Sequence, residues 1–382
     1  MDGAPPLGYT FLRNNAKNDT QEVFYMVRLG LIGLGQAAQI LHLPNLERMG
    51  DKFEVTAVAD ISKVLTDTIS HKYHVPHAFT DPMELINCPD VDAVMIMCPG
   101  DHAAFAAAAL EAGKHVFIEK PMTTSMASAE NLMAVKDKHP ELIAMVGYCR
   151  RYNDSFLKLK EMLETSDLPI AYVRARTLVL EGPWYLDQTW QEFKATDLDP
   201  AGRYAMHQKM VDEIDAELGG NTTEAQRSAY MMMTLSGCHI LSACRELFGL
   251  PKKILAAEVT PNGEQFNLIF AYDGFNLMFE EMNSQLHVGF DEAIEVYQGE
   301  RRMVLEYDSP YIKYLPTRLT VDELDENKQP KTTVYGPHYR DMFANELIEF
   351  HRCITEHTAP KCDVYDAAED VKLYIDIAKM MK

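Results

Sequence analysis

Apolar runs of strand length alternate with helical patterns along the first part of the chain. The apolar runs occupy residues 27–32, 53–60, 91–97, 115–118 and 142–146. The helical patterns between them lie at 61–74, 101–113 and 125–138. This alternation is typical of a parallel sheet with helices on both faces. We read the five runs as strands of a six-stranded, doubly wound Rossmann domain over residues 27–149, preceded by an N-terminal extension, residues 1–26.

The hydrophobic period changes beyond about residue 150. Runs rich in β-branched and aromatic residues predict strands at 169–180, 253–260, 266–282, 285–290, 293–297 and 301–307. Helical patterns fall near 155–165, 224–248, 340–356 and 364–381. Residues 150–382 are thus predicted to form an α+β domain with an open, mostly antiparallel sheet. Its last helices are expected to pack back on the first domain.

A glycine-punctuated turn joins the first predicted strand to the helix after it. Gly33 allows a tight turn, Gly35 allows the backbone to approach a pyrophosphate, and Ala38 allows the helix to pack closely on the sheet. The N–H groups and the positive dipole end of that helix face the anion. The turn therefore predicts a dinucleotide site.

Asp60 ends the next apolar run, at the spacing where a Rossmann fold places the carboxylate that binds a ribose 2′-OH. The alternative is that Asp60 is a helix N-cap. A carboxylate at the ribose favours NAD because it repels the 2′-phosphate of NADP. NADP stays open, since Lys63 follows closely and could reach a phosphate.

Composition narrows the class of protein. A formal net charge of −21 disfavours binding to nucleic acid or to an anionic membrane surface. Seven cysteines lack the spacing of a zinc site or a disulfide framework, so we expect no metal and a reducing, cytoplasmic location. The residues 1–26 lack the order of a signal peptide, and no apolar run reaches membrane-spanning length. The acidic run 322–326 is expected to be an exposed loop.

Lys120 follows a predicted parallel strand in Glu119-Lys-Pro121. The carboxyl ends of such strands form the ligand-binding edge of an open α/β sheet, so a lysine there can reach a reacting carbon. The alternative is a surface lysine before a turn-forming proline.

The order of these motifs resembles the Gfo/Idh/MocA oxidoreductases. The resemblance is carried by the Gly33–Ala38 turn, Asp60, Pro99-Gly-Asp-His102, Ala112-Gly-Lys-His-Val116 before Glu119-Lys-Pro121, and Gly147-Tyr-Cys-Arg-Arg-Tyr-Asn153. It is close over residues 27–153 and holds in outline beyond them. It implies a nicotinamide cofactor between the two domains, a small-molecule substrate, and a homo-oligomer formed through the C-terminal sheet.

The resemblance also implies roles for particular residues. It places Lys120 at the substrate oxygen near the nicotinamide. The expected cofactor contacts are Gly33, Gly35, Gln36, Ala37, Ala38, Asp60, Pro99, His102, Glu119 and Lys120. The segment Gly147–Tyr152 borders the active site in the family, so Tyr148, Arg150, Arg151 and Tyr152 are expected to contact the substrate. Trp184 and Tyr185 are also expected substrate contacts, but from the residues themselves, because an aromatic ring beside polar groups suits a sugar ring. His102 opens a predicted helix, so its alternative role is a cap. The alternative for Trp184 is packing on the domain core.

The second domain departs from the family pattern at one position. Family members often carry Asp-x-Gly-x-His on the helix at the active site, whereas Leu235-Ser-Gly-Cys-His239 has leucine in place of the aspartate. His239 is expected to act with Lys120 as the acid/base pair. The alternative is a helix histidine that bonds the backbone. The neighbouring Met231-Met-Met233 is expected to fill the core.

The leading hypothesis is an oxidoreductase that moves a hydride between a nicotinamide and a carbinol or ketone carbon of a polyhydroxylated or sugar-like molecule. A second is a redox-neutral enzyme, glycosidase- or epimerase-like, that keeps its NAD bound through turnover. A third is a non-catalytic NAD(H)-binding protein, which the missing aspartate keeps open. Release of the cofactor during turnover separates the first from the second.

Overall fold

A computed structural model describes residues 26–180, 186, 188, 191–284 and 289–381. The first domain contains β1 (Val27–Ile32), β2 (Phe53–Ala59), β3 (His77–Phe79), β4 (Ala93–Ile96), β5 (His115–Glu119) and β6 (Ala144–Gly147). These strands form one parallel sheet in the order β3-β2-β1-β4-β5-β6. The predicted six-stranded Rossmann sheet is confirmed. Its strand order reverses between β1 and β4, which opens a crevice at their carboxyl ends.

Helices cover both faces of this sheet. They are α1 (Leu43–Leu46), entered through a π-helical turn Ala37–His42, then α2 (Lys63–Tyr73), α3 (Pro82–Ile86), α4 (His102–Glu111) and α5 (Met126–Lys136). Burial on both faces explains why β4 is apolar at every position.

The second domain is built on an eight-stranded sheet. Its strands are β7 (Ile170–Leu180), β8 (Lys253–Val259), β9 (Gln265–Ala271), β10 (Asn276–Asn283), β11 (Gly289–Gln298), β12 (Arg301–Tyr307), β13 (Thr317–Leu324) and β14 (Pro330–His338). Their order is β14-β13-β12-β11-β7-β10-β9-β8. Every neighbouring pair is antiparallel except β7 and β10, which are parallel. The predicted open, mostly antiparallel sheet is confirmed.

The helices of this domain surround one face of the sheet and reach the first domain. They are α6 (Asp154–Glu164), α7 (Pro200–Leu218), α8 (Glu224–Met232), α9 (Cys238–Phe248), α10 (Met342–Glu356) and α11 (Val364–Met380). A 3₁₀ turn at Cys149–Tyr152 links the domains, and a π-helical turn, Met233–Gly237, joins α8 to α9. None of the helices described is long and apolar enough to cross a bilayer.

Helix α11 packs against α5 of the first domain. The Val146 N–H donates to the Cys362 carbonyl at 2.8 Å, just before this helix. The Tyr365 hydroxyl donates to Asp137 at 2.5 Å. The end of the chain therefore fixes the two domains against each other, and the cavity between them has a defined shape.

The structure contains elements that the sequence prediction missed. Strands β3, β13 and β14 and helices α3 and α7 were not predicted. Part of the expected acidic loop 322–326 is strand, since Asp322 lies in β13 and pairs with Arg302 at 3.1 Å. Asp322 occupies the solvent side of a strand whose Leu319 and Val321 are buried on the other face. Of the predicted strand 285–290, residues 285–288 lie outside the described part of the chain.

Candidate active site

A cavity of about 420 Å³ opens at the carboxyl edge of the first sheet, between the two domains. Its walls come from Gln36–Ala37, the β4–α4 turn 97–102, Glu119–Pro121, helix α7, the π-helical turn, His239 and Tyr311. It therefore begins at the glycine turn and continues to the second domain. This is the crevice that a doubly wound sheet provides for a dinucleotide.

Glycine is needed at the two positions of the turn for different reasons. Gly33 has a φ of +89°, and a Cβ there would lie 2.4 Å from the Cys98 nitrogen. Gly35 faces open space, since a Cβ added there would meet nothing within 4 Å. Ala38 is fully buried against the sheet. Gly33 thus serves the fold, while the space beside Gly35 fits a pyrophosphate that approaches the backbone.

Asp60 holds the glycine turn from the neighbouring strand. Its two carboxylate oxygens accept the Leu34 N–H and the Ser62 N–H, each at 2.8 Å. The N-cap of α2 is Ser62, whose hydroxyl accepts the Leu65 N–H, so Asp60 is not that cap. Lys63 pairs with Asp67 at 2.7 Å. Asp60 is not among the residues that line the cavity, and its contact with a ribose stays a prediction.

His102 and Glu119 form the floor of the cavity. The ring nitrogens of His102 lie against two main-chain carbonyls, that of Glu119 at 2.7 Å and that of Cys98. The cap of α4 is Asp101, so the capping alternative for His102 does not apply. The Glu119 carboxylate is 2.5 Å from the His42 ring. Burial opposes the charged Glu119, but the His42 contact lowers its pKa below the usual value.

Lys120 projects from the end of β5 into the cavity. Its ammonium donates to the Leu235 carbonyl at 2.6 Å, across the domain boundary. Burial opposes its charge, but the neighbouring acidic groups of Cys238 and Glu119 raise its pKa above the usual value. The lysine is therefore a cation at neutral pH. It can stabilise negative charge on a substrate oxygen.

His239 lines the same cavity from the first turn of α9. Burial, followed by the charges of Lys120 and Arg150, lowers the pKa of His239 well below its usual range. Its Nδ1 atom lies 3.8 Å from the Cys149 thiol. The ring is therefore neutral at pH 7 and can accept a proton. The Leu235 side chain, 53% exposed, forms an apolar part of the wall.

The segment Tyr148–Tyr152 does not line this cavity. Tyr148, Arg150, Arg151 and Tyr152 are each at most 6% exposed. Arg150 forms a buried ion pair with Glu292 at 2.5 Å, and Arg151 pairs with Asp366 at 2.6 Å. The structure thus buries these four side chains away from the cavity and pairs the two arginines inside the protein, and their contact with a substrate stays a prediction.

Other expected and unexpected residues complete the site. Pro99, Gln36 and Ala37 line the cavity as expected, whereas Trp184 and Tyr185 lie outside the described residues. Met231 also lines the cavity, while Met232 and Met233 are buried in the core. The wall formed by α7 was missed. Its cavity residues Met210, Glu213 and Ile214 follow helical i, i+3, i+4 spacing, which is the signal that could have found them.

Comparison with known proteins gives one family match. Residues 27–148 match the Gfo/Idh/MocA family, described as an oxidoreductase family with an NAD-binding Rossmann fold. The myo-inositol 2-dehydrogenase of Thermotoga maritima is 30% identical over 208 residues, which cover 50% of this chain and 58% of the relative. The inositol 2-dehydrogenase/D-chiro-inositol 3-dehydrogenase of Shouchella clausii is 36% identical over 140 residues, which cover 36% of this chain and 40% of that relative. The chain thus spans about half the length of these curated relatives.

Solved structures match over nearly the whole chain. A UDP-N-acetylglucosamine 3-dehydrogenase from Acidithiobacillus ferrooxidans superposes with a TM-score of 0.68 at 17% identity, covering 94% of this chain and 98% of the other. A 3-ketoreductase from Actinomadura kijaniata in complex with NADP superposes with a TM-score of 0.69 at 18% identity, covering 94% of this chain and 98% of the other. At these identities the comparisons establish a shared fold for both domains.

Proposed function

Since residues 27–148 match the Gfo/Idh/MocA oxidoreductase family, we propose that this chain transfers a hydride between NAD(P) and a carbinol or ketone carbon. The substrate class we propose is a small polyhydroxylated or sugar-like molecule. The observation that carries the proposal is that Lys120 and His239, from different domains, line one cavity that begins at the glycine turn.

These two side chains meet the chemical needs of alcohol oxidation. A bound nicotinamide supplies a hydride acceptor at its C4 atom. The Lys120 ammonium donates a hydrogen bond to the substrate oxygen and stabilises the alkoxide that develops there. His239, which is neutral, accepts the hydroxyl proton as the C–H hydride leaves. In the reverse direction the protonated His239 returns the proton to the oxygen.

The proposed acid/base pair works without the aspartate of the family pattern. Leu235 contributes its main-chain carbonyl to Lys120, and its side chain cannot take part in proton transfer. The polar groups of Thr234 and Glu213 line the cavity beside it. These hydroxyl and carboxyl groups suit a substrate with several hydroxyls. The similarity to inositol 2-dehydrogenases supports the same substrate class.

The direct test is a turnover assay with purified protein. NAD and NADP are each supplied with a panel of inositols, sugars and sugar acids, and NADH and NADPH with the corresponding ketones, while nicotinamide absorbance is followed. The proposal expects cofactor reduction or oxidation that is stoichiometric with substrate consumed. Product formation from protein-bound NAD without its release would support the redox-neutral alternative. Binding of NADH with no change in any compound would support a non-catalytic role and contradict the proposal.

We also propose a cytoplasmic homo-oligomer assembled through the outer face of the second sheet. The seven cysteines are free thiols, as a reducing compartment requires. The outer face carries Tyr297, 37% exposed, among ion pairs such as Arg176–Asp291 at 2.7 Å. Light scattering of the purified protein tests the assembly, and a monomer at micromolar concentration would contradict it.

A further inference from the structure

A segment of the second domain lies against the nucleotide-binding loop of the first. Residues 191–199, here called the strap, precede α7. The Phe193 N–H donates to the Gln39 side-chain oxygen at 2.9 Å, and the Gln39 amide donates back to the Phe193 carbonyl at 3.0 Å. The same amide donates to the Leu34 carbonyl at 2.8 Å. Gln39 is 3% exposed, so a buried side chain fixes the strap to the glycine turn.

The strap places a carboxylate at the beginning of α2. Asp197 accepts hydrogen bonds from the Ser62 hydroxyl and from the Val64 N–H, the latter at 3.1 Å. Asp60 accepts the N–H of the same Ser62. Two carboxylates, one from each domain, therefore converge on Ser62, the N-cap of α2.

This is the part of a Rossmann site where NAD and NADP differ. The acid after β2 receives the ribose 2′-OH of NAD, whereas a 2′-phosphate needs donors and positive charge nearby. Here the Ser62 hydroxyl and the Val64 N–H already bind the carboxylate of Asp197. Lys63, the cation between them, pairs with Asp67. A 2′-phosphate would have to displace one carboxylate and lie close to a second.

We propose that Asp197 is a specificity-determining residue, supplied by the second domain, which occupies the place of a 2′-phosphate and makes the site select NAD over NADP. The inference rests on the proposed function, because it concerns the cofactor of that same site. The role proposed for Asp197 differs from that of Asp60, which is expected to contact the ribose. Asp197 discriminates without a contact to NAD itself.

Asp197→Asn tests the inference, because asparagine keeps an acceptor for Ser62 and Val64 while it removes the charge. The dissociation constants of NADH and NADPH are measured by fluorescence titration at low ionic strength. We expect the preference for NADH to fall about tenfold, through tighter NADPH binding, as expected for removal of one nearby like charge. NADH affinity should stay within about twofold of the wild type.

Asp199→Asn is the matched control. Asp199 lies in the same strap and caps α7 by accepting the Ala201 N–H at 3.1 Å, a cap that asparagine preserves. Asp199→Asn removes the same charge and should leave the ratio of the NADH and NADPH dissociation constants unchanged. In the wild type, added salt should bring the two dissociation constants closer together, because it screens the repulsion between Asp197 and the 2′-phosphate.

The outcomes separate this inference from the proposed function. If neither nucleotide binds the wild type, the proposed function fails. If NADH binds but Asp197→Asn has the wild-type ratio, the role of Asp197 is refuted while the proposed function stands. A wild type that prefers NADPH, or an equal effect of Asp199→Asn, would overturn the inference in the same way.

Discussion

The ammonium of Lys120 donates to the main-chain carbonyl of Leu235 at 2.6 Å, which joins the two domains at the centre of the cavity. Leu235 lies inside the π-helical turn Met233–Gly237. Such turns shift main-chain groups away from the regular helical bonding pattern and are frequent at functional sites. The lysine is therefore oriented by the backbone, and the identity of the side chain at position 235 does not decide this bond.

Lys120→Met should lower turnover by several powers of ten and leave NADH affinity close to that of the wild type. The methionine keeps the apolar volume but cannot stabilise charge on the substrate oxygen. Steady-state kinetics and NADH titration measure the two effects separately. Lys372→Met is the control, since Lys372 is exposed on α11 and pairs with Asp376 at 2.7 Å. Loss of NADH binding in Lys120→Met would make this lysine a cofactor anchor.

His239 should give the protein an acid-sensitive stability. The folded state keeps His239 neutral, because its pKa is lowered well below 6.5 by burial and by Lys120 and Arg150. The unfolded chain binds a proton there below about pH 6.5, so the free energy of unfolding falls as the pH decreases.

Urea unfolding at about pH 7.5 and about pH 5.5 measures this effect. His239→Asn should lose less stability than the wild type over that interval, by about 1 kcal/mol. The rate of alcohol oxidation should also stay level through pH 6.5 in the wild type, because the base is already neutral. Equal acid sensitivity of the two proteins would show that His239 titrates normally.

Gly35→Val should abolish dinucleotide binding and leave thermal stability near that of the wild type. The new side chain would fill the open space beside Gly35, where we expect the pyrophosphate to approach the backbone. Gly33→Val should behave in the opposite way. Its Cβ would lie 2.4 Å from the Cys98 nitrogen at a φ of +89°, so folding fails first. NADH fluorescence and thermal melting compare the variants, and retained binding in Gly35→Val would place the cofactor elsewhere.

Arg150→Met should destabilise the fold by about 3–5 kcal/mol, because it leaves the buried Glu292 without its cation. The half-exposed pair Arg174–Glu280 provides the comparison, and Arg174→Met should cost about 1 kcal/mol or less. Denaturant unfolding measures both. A stable Arg150→Met protein with a raised KM for substrate would instead support the substrate-binding role expected for Arg150.

The sequence by itself determined the first domain and its nucleotide turn. Local constraints suffice there, because short apolar strands, helical spacing and the glycines at positions 33 and 35 each act over a few residues. Spacing alone also places Asp60 beside the turn, since the β1–α–β2 unit fixes its distance from it, and Asp60 accepts the Leu34 N–H there. The same reasoning found β7 to β12 of the second sheet, whereas β13 and β14 were missed although the burial in β13 alternates regularly.

Only the tertiary structure decided which groups face the cavity. Arg150 and Arg151 follow a strand at the active-site edge, yet partners from distant parts of the chain, Glu292 and Asp366, bind them inside the protein. Asp197 reaches the beginning of α2 from the second domain, 133 residues beyond Val64 in sequence. Pairing of charges over such separations depends on how the domains pack, and neither composition nor periodicity encodes that geometry.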